Sequence, residues 1–295
     1  MDYISKIKNE FDNNIKWKLF TIKNKSLAER VSKNAKFKNI HLGERCFVIG
    51  NGPSLAKQDL SLLKNEVVFT VNQITRNPKF NELKTNYHFW ADPIFFNLSP
   101  EKPEDIELLN VFKSVKTLNN NPICFMPICS KQFVDSFDLE KELTIEYYCN
   151  SLDFHDSYSK DLNFSKFIPN FQTVVQYAIA MAIYMGFSEI YLIGCDTTGI
   201  MGTINSYIDQ PVNTYSYNIT ENEKKRMKNM HSSISMENTF LGWARILHIY
   251  KTLDRYCDDK NIRLVNCSAD SIIDSISRES YEDVLSRNLD PQTEK

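Results

Sequence analysis

The chain has 295 residues, 42% of them hydrophobic and 24% charged, with a formal net charge of −2. That length and apolar content bury a full core, as one large domain or one domain plus a lid. The near-neutral balance excludes nucleic acid as the main partner, since phosphate-backbone binding needs a basic surplus, and it excludes wholesale disorder.

Residues 1–40 are rich in lysine and asparagine and carry Ile4, Ile7, Phe11, Ile15, Trp17, Leu19 and Phe20 at partly helical spacing. Two readings of this N-terminal extension stand open: helices packed on the domain, or a basic amphipathic face for an anionic membrane surface. No signal-peptide core and no run of about 18 apolar residues occurs, so the protein is expected to be cytoplasmic, with peripheral contact at the inner membrane face as the most it makes with a bilayer.

From residue 41 to 289 the pattern is that of an α/β domain. Arg45–Gly50 is a short apolar run closed by glycine, followed by the turn Asn51-Gly52-Pro53-Ser54-Leu55. Val67–Val71 ends at Asn72-Gln73, and Tyr87–Trp90 ends at Ala91-Asp92-Pro93. Ile123–Met126 is another strand, whereas 140–168 shows no clear period. Thr173–Met185 reads as a buried helix stopped by Gly186, Ile190–Gly194 as a strand ending at Cys195-Asp196, Met236–Cys257 as a long helix, and Ile262–Asn266 as a last strand. Runs apolar throughout are the mark of strands covered on both faces, so the expected fold is Rossmann-like: doubly wound and mostly parallel. Residues 197–235 are polar, contain glycine and proline, and are too long for an ordinary connection, which predicts a lid.

Ligands of such folds sit off the carboxyl ends of the strands. Four polar residues lie there: Asn51, Asn72, Asp92 and Asp196. Gly50 and Gly52 are read as the flexible turn that lets N–H groups approach a phosphate, with Ser54 capping the next helix. The turn is neither a G-x-G-x-x-G nor a Walker loop. Asp196 is expected to be a catalytic carboxylate that faces the cleft and orients a hydroxyl or a lid residue, at the rim with Asp92. No Asp-x-Asp closes any strand and the seven cysteines, an odd number with no C-x-x-C, suit buried thiols of a reducing compartment, so no metal site is expected. Tyr207, Tyr215 and Tyr217 in the lid either hold a leaving phosphate or pack. His231, in a polar stretch before a helix, suits a general base; His248 is the alternative, and His88 reads as core.

Val48-Ile49-Gly50-Asn51-Gly52-Pro53-Ser54-Leu55, Val71-Asn72-Gln73, Phe89-Trp90-Ala91-Asp92-Pro93 and Gly186-Phe187-Ser188-Glu189-Ile190-Tyr191-Leu192-Ile193-Gly194-Cys195-Asp196 occur in the order and rough spacing of bacterial lipooligosaccharide sialyltransferases. The skeleton also resembles that of motility-associated flagellin nonulosonate transferases and is similar to that of archaeal 6-hydroxymethylpterin pyrophosphokinases. The sialyltransferase resemblance implies that Asn51 and Asn72 contact CMP, that Tyr207 holds the phosphate and that His231 acts as base. It also implies a metal-independent transfer of a sugar from a CMP donor, without a further cofactor, to a glycan acceptor of lipopolysaccharide or capsule, by an enzyme of a family that often forms oligomers. Asn170-Phe171-Gln172-Thr173 lacks the arginine of the family's corresponding segment, and Thr198 stands in place of its first lid tyrosine. The donor sugar is therefore left open between sialic acid and another nonulosonic or Kdo-type sugar. The rival readings are a pterin pyrophosphokinase using ATP and a non-catalytic nucleotide- or glycan-binding module.

Overall fold

The computed structural model describes residues 14–118, 121–154, 158, 160–207, 214–231 and 234–287, without the side chains of residues 206–207 and 228–231. Helix α1 (residues 14–23) and helix α2 (Lys25–Ser32) lead into the sheet. Trp17 and Phe20 lie 5.5 Å apart and both meet Phe167. Ala28, Val31 and Phe37 are buried. Asn34, also buried, donates from Nδ2 to the carbonyls of Tyr147 and Phe164 at 2.7 and 3.0 Å, closing backbone acceptors that would otherwise be stranded.

Among the described residues, eight strands form one sheet in which every pairing is parallel: β1 (Arg45–Ile49), β2 (Val67–Val71), β3 (Tyr87–Phe89), β4 (Ile123–Pro127), β5 (Thr144–Leu152), β6 (Phe167–Pro169), β7 (Glu189–Ile193) and β8 (Arg263–Asn266). Their order is β6-β5-β4-β3-β2-β1-β7-β8. This is the expected doubly wound parallel α/β fold. Four of five residues are buried in each of β1, β2 and β7, because helices cover both faces.

Those helices are α3 (Pro103–Ser114), α4 (Lys131–Ser136), α5 (Val174–Met185), α6 (Gly199–Tyr207), α7 (Glu221–His231), α8 (Met236–Asp259) and α9 (Tyr281–Ser286). One core packs α5 and α8 on Val48, Phe69 and Phe89; the other packs α3 on Phe47, Val68 and Trp90. Helix α5 starts with a reciprocal capping box between Thr173 and Gln176 and stops at Gly186, whose φ of 91° a side chain would resist. No described helix is long and apolar enough to cross a membrane.

The chain steps outward from β1 to β6 and then returns to lay β7 on the other side of β1. The connections leaving β1 and β7 therefore diverge to opposite sides, which opens a crevice at the carboxyl ends of these central strands. Residues 197–235, expected as a lid, contain α6 and α7.

Candidate functional site

The β1 turn is built by close packing against the β7 turn. A Cβ on Gly50 would stand 2.4 Å from the Gly194 carbonyl oxygen, and one on Gly52 would stand 2.7 Å from it and 2.5 Å from an Asp196 carboxylate oxygen. Neither Gly50 nor Gly52 has a positive φ; Gly194 does, at 59°. The expected phosphate-cradling flexibility is thus replaced by a steric requirement between two backbones. The segment after the turn is a 3-10 helix, Pro53–Lys57, in which Ser54 is the second residue and not the expected cap. Ser54 and Asp196 are 0% and 1% exposed, and Asp196 accepts hydrogen bonds from both the N–H and the hydroxyl of Ser54. Leu55 donates its N–H to Gly52, and Pro53 has none to give. The first N–H groups of this helix are therefore already used by the chain itself. The expectation that Asp196 stands at the rim is corrected on the same ground: burial raises its pKa, the Ser54 bonds oppose that rise, and the carboxylate acts as the internal anion of this helix N-terminus.

The other three strand-end residues come together. Asn51, Asn72 and Asp92 line a cleft of ≈ 160 Å³ with Gln73, Phe95, Tyr215, Tyr217, Glu223 and Arg226. Asn51 donates from Nδ2 to the Val71 carbonyl at 2.9 Å, which aims its Oδ1 away from that backbone. Asn72 holds a left-handed backbone with φ 47°, where asparagine is among the few tolerated side chains. Asp92 is exposed and caps the turn behind it by accepting from the Ile94 N–H at 3.1 Å. The segment above is pinned to this floor: Ser216 donates its N–H to the Asn51 carbonyl at 2.9 Å, and Asn77 donates to the Ser216 hydroxyl at 3.0 Å.

A chain of side chains ties α7 to the sheet. Glu107 accepts from Arg76 at 2.6 Å, Arg76 donates to Gln73 at 2.6 Å, Gln73 donates to Glu223 at 2.9 Å, and Arg226 grips Glu223 through two bonds of 2.9 and 2.6 Å. Glu107 also accepts from Thr220 and Asn222. Burial opposes charge on Glu223 and Arg226, but their mutual hydrogen bonds outweigh it, so Glu223 sits below the ordinary carboxylate range and Arg226 above the ordinary guanidinium value. Tyr215 and Tyr217 stack with ring centres 5.2 Å apart, and burial pushes both phenols up, which keeps them neutral hydrogen-bond donors.

Among the described residues, Asn51 Oδ1, Asn72 Oδ1 and Arg226 Nη1 are buried without a hydrogen-bond partner. The side chains that carry these two acceptors and one cationic donor all line one cleft. Each such group costs about 1–3 kcal/mol unless a ligand or water satisfies it. A larger concavity of ≈ 370 Å³ lies beside Asn266 and Tyr281, but it holds none of the strand-end residues singled out in the sequence.

Tyr207 and His231 end α6 and α7, and their side chains lie outside the described residues. His248 is exposed on α8 and does not line the cleft. His88 is fully buried, as read from its strand, bonded through Nδ1 to the Thr70 hydroxyl at 2.8 Å. Gln73, Glu223 and Arg226 were not singled out as site residues. The signal was present: Thr220-Glu221-Asn222-Glu223 is a capping-box pattern, and the Thr220 hydroxyl accepts from the Glu223 N–H at 3.2 Å. It starts a helix on which Glu223 and Arg226, three apart, share a face. Among the described residues no group of three or more His, Cys, Asp or Glu is placed to hold a metal ion.

The model of the family described as 6-hydroxymethylpterin diphosphokinase MptE-like matches residues 14–199. No curated protein sequence matches the chain. Among solved structures, the MAf glycosyltransferase from Magnetospirillum magneticum AMB-1 is similar over 89% of this chain, with 14% identity and a TM-score of 0.45; the chain spans 41% of that protein. The sialyltransferase CstII from Campylobacter jejuni, solved with the substrate analogue cytidine-5'-monophosphate, is similar over 80% of this chain and 85% of its own, with 17% identity and a TM-score of 0.44.

Proposed function

The chain belongs to the MptE-like family, and from that premise we propose that it is a nucleotide-dependent transferase, a glycosyltransferase that moves sialic acid or a related nonulosonic or Kdo-type sugar from CMP to a glycan acceptor. The observation that carries the reading is the cleft itself. The unpartnered amide oxygens of Asn51 and Asn72 suit the donor edges of a pyrimidine and its ribose, and the free edge of Arg226 suits a phosphate. Asn51 and Asn72 are also the two positions at which the motifs resemble the CMP contacts of the sialyltransferases. At ≈ 160 Å³ the cleft falls short of the roughly 300–1,000 Å³ of sites for drug-sized ligands, so α7 and the Tyr215–Tyr217 segment move outward to admit the donor and close over it.

In this proposal the hydroxyls of Tyr215 and Tyr217 and the Arg226 guanidinium stabilise the departing CMP phosphate. Tyr207 adds a further hydroxyl, and His231 takes the proton of the acceptor hydroxyl as the sugar leaves. Asp196 and Ser54 act at one remove, by holding the turn that presents Asn51.

The family description favours a second reading, transfer of a diphosphate from ATP to a pterin. Calorimetry with CMP, CDP, UDP, GDP and ATP, each with and without magnesium, separates the two. The glycosyltransferase reading requires CMP to bind without magnesium and CMP-sugar to turn over. Tight ATP binding that depends on magnesium sinks it in favour of the diphosphokinase. CMP binding without turnover of any CMP-sugar leaves a binding module. Once turnover is found, His231→Ala should lower kcat by about 10²–10⁴ with CMP affinity nearly intact.

A further inference from the structure

Helix α1 is apolar on two opposite faces. At 100° per residue, Trp17 and Phe20 fall on one side, and they are the residues seated on Phe167. Ile15, Leu19 and Ile22 fall within an arc of about 60° on the other side. They are 40%, 52% and 78% exposed. Lys16 and Lys23 border that arc on one flank and Lys18 on the other, all exposed. Residues 14–38 hold eight Lys and Arg against the single acid Glu29, a surplus of seven in a chain whose net charge is −2. Of these eight, Arg30 and Lys36 are paired with Glu140 and Glu146.

The geometry points to α1 as a docking face for an anionic lipid bilayer. An apolar stripe bordered by lysines on both flanks is the arrangement in which leucine and isoleucine enter the headgroup–acyl boundary while ammonium groups meet lipid phosphates. The Trp17–Phe20 contact with Phe167 fixes how the helix is mounted on the sheet edge, so the stripe faces outward whether or not lipid is present. Nucleic acid fits the charge but leaves the stripe in water, since a phosphate backbone offers nothing for Ile15, Leu19 and Ile22 to bury against. The surface is independent of the nucleotide cleft.

Sedimentation of the full chain with vesicles tests this. Vesicles of phosphatidylcholine with 30% phosphatidylglycerol should bind the chain, and pure phosphatidylcholine should bind it at least about fivefold less. Leu19→Ser with Ile22→Ser should lower binding at least about tenfold. Lys16→Glu with Lys18→Glu and Lys23→Glu should abolish the preference for the anionic lipid. These side chains are exposed, so the thermal midpoint and CMP affinity of each variant should match the parent, which separates lost docking from lost folding. Equal binding to both vesicle types, or full binding by the serine variant, overturns the proposal. So does light scattering that shows a dimer dissociated by Leu19→Ser, which would assign the stripe to a second copy of the chain.

Discussion

Asp196 accepts a hydrogen bond from the Ser54 backbone N–H at 2.7 Å and another from the Ser54 hydroxyl, both within a buried contact between the turns that follow β7 and β1. Gly52 lies so close to this contact that a Cβ would overlap the carboxylate. The two central strands are thereby joined at the ends from which the cleft opens.

Asp196→Ala should therefore act on stability. It strands two buried donors and should lower the unfolding free energy by about 2–4 kcal/mol in urea titration. Gly52→Ala should destabilise as well, because the Gly194 carbonyl is backbone and cannot step aside. CMP affinity of the folded fraction should fall only as far as the loosened turn displaces Asn51, by less than in Asn51→Ala. Affinity lost with stability intact would return Asp196 to the ligand site.

Asn72→Gly isolates the amide from the backbone. Glycine accepts the φ of 47° without strain, so the turn keeps its shape while the unpartnered Oδ1 is removed. Calorimetry should show CMP affinity weakened by about 1–3 kcal/mol with an unfolding midpoint close to the parent's. Unchanged affinity would remove this oxygen from the donor site. Asn51→Ala is the less clean partner experiment, since it also frees the Val71 carbonyl that Asn51 caps.

The strands and the position of the crevice were legible because β1, β2, β3 and β7 are short, mostly apolar runs, interrupted inside only by Thr70 and His88, each followed within three residues by a polar residue. Strand β5 was not, because its burial follows no period of two: Tyr147, Tyr148 and Cys149 are buried in succession between an exposed Thr144 and an exposed Ser151. The chemistry at the switch point was legible as a location only. Glycine, serine and aspartate in those turns read equally as a phosphate cradle or as tight packing, and the difference lies in distances between residues 142 positions apart. Arg226 and Glu223 were hidden for a like reason, since a charged run in a polar segment reads as a solvated face until a neighbouring helix and strand end enclose it.

His88 should make the protein acid-sensitive. Burial pushes its pKa down to about 3, partly opposed by the nearby Asn72 backbone. In the unfolded chain the imidazole titrates near 6.5. Between those values the unfolded state binds a proton that the native state refuses, so stability falls as pH drops from about 6.5 towards 3 and is unaffected by this group above 7. Urea midpoints between pH 7 and 4 should fall more steeply for the parent than for His88→Gln. Parallel slopes would show that the imidazole is not the group responsible.

Arg226 is the side chain whose two duties can be pulled apart. It neutralises Glu223, which is 4% exposed, and it lines the cleft with an unused Nη1. Arg226→Met keeps the stem against Phe95, where the guanidinium lies 5.1 Å from the ring centre, but leaves Glu223 buried without its cation. A buried carboxylate stripped of its partner typically costs about 3–5 kcal/mol, whereas removing both charges together is often nearly neutral. Glu223→Gln combined with Arg226→Met should accordingly recover most of the stability lost by the single variant, since glutamine still offers an oxygen to the Gln73 amide. Donor affinity and turnover should not recover, because both variants lack the guanidinium proposed to hold the CMP phosphate. Recovery of turnover along with stability in the double variant would mean that Arg226 serves only to keep Glu223 in place.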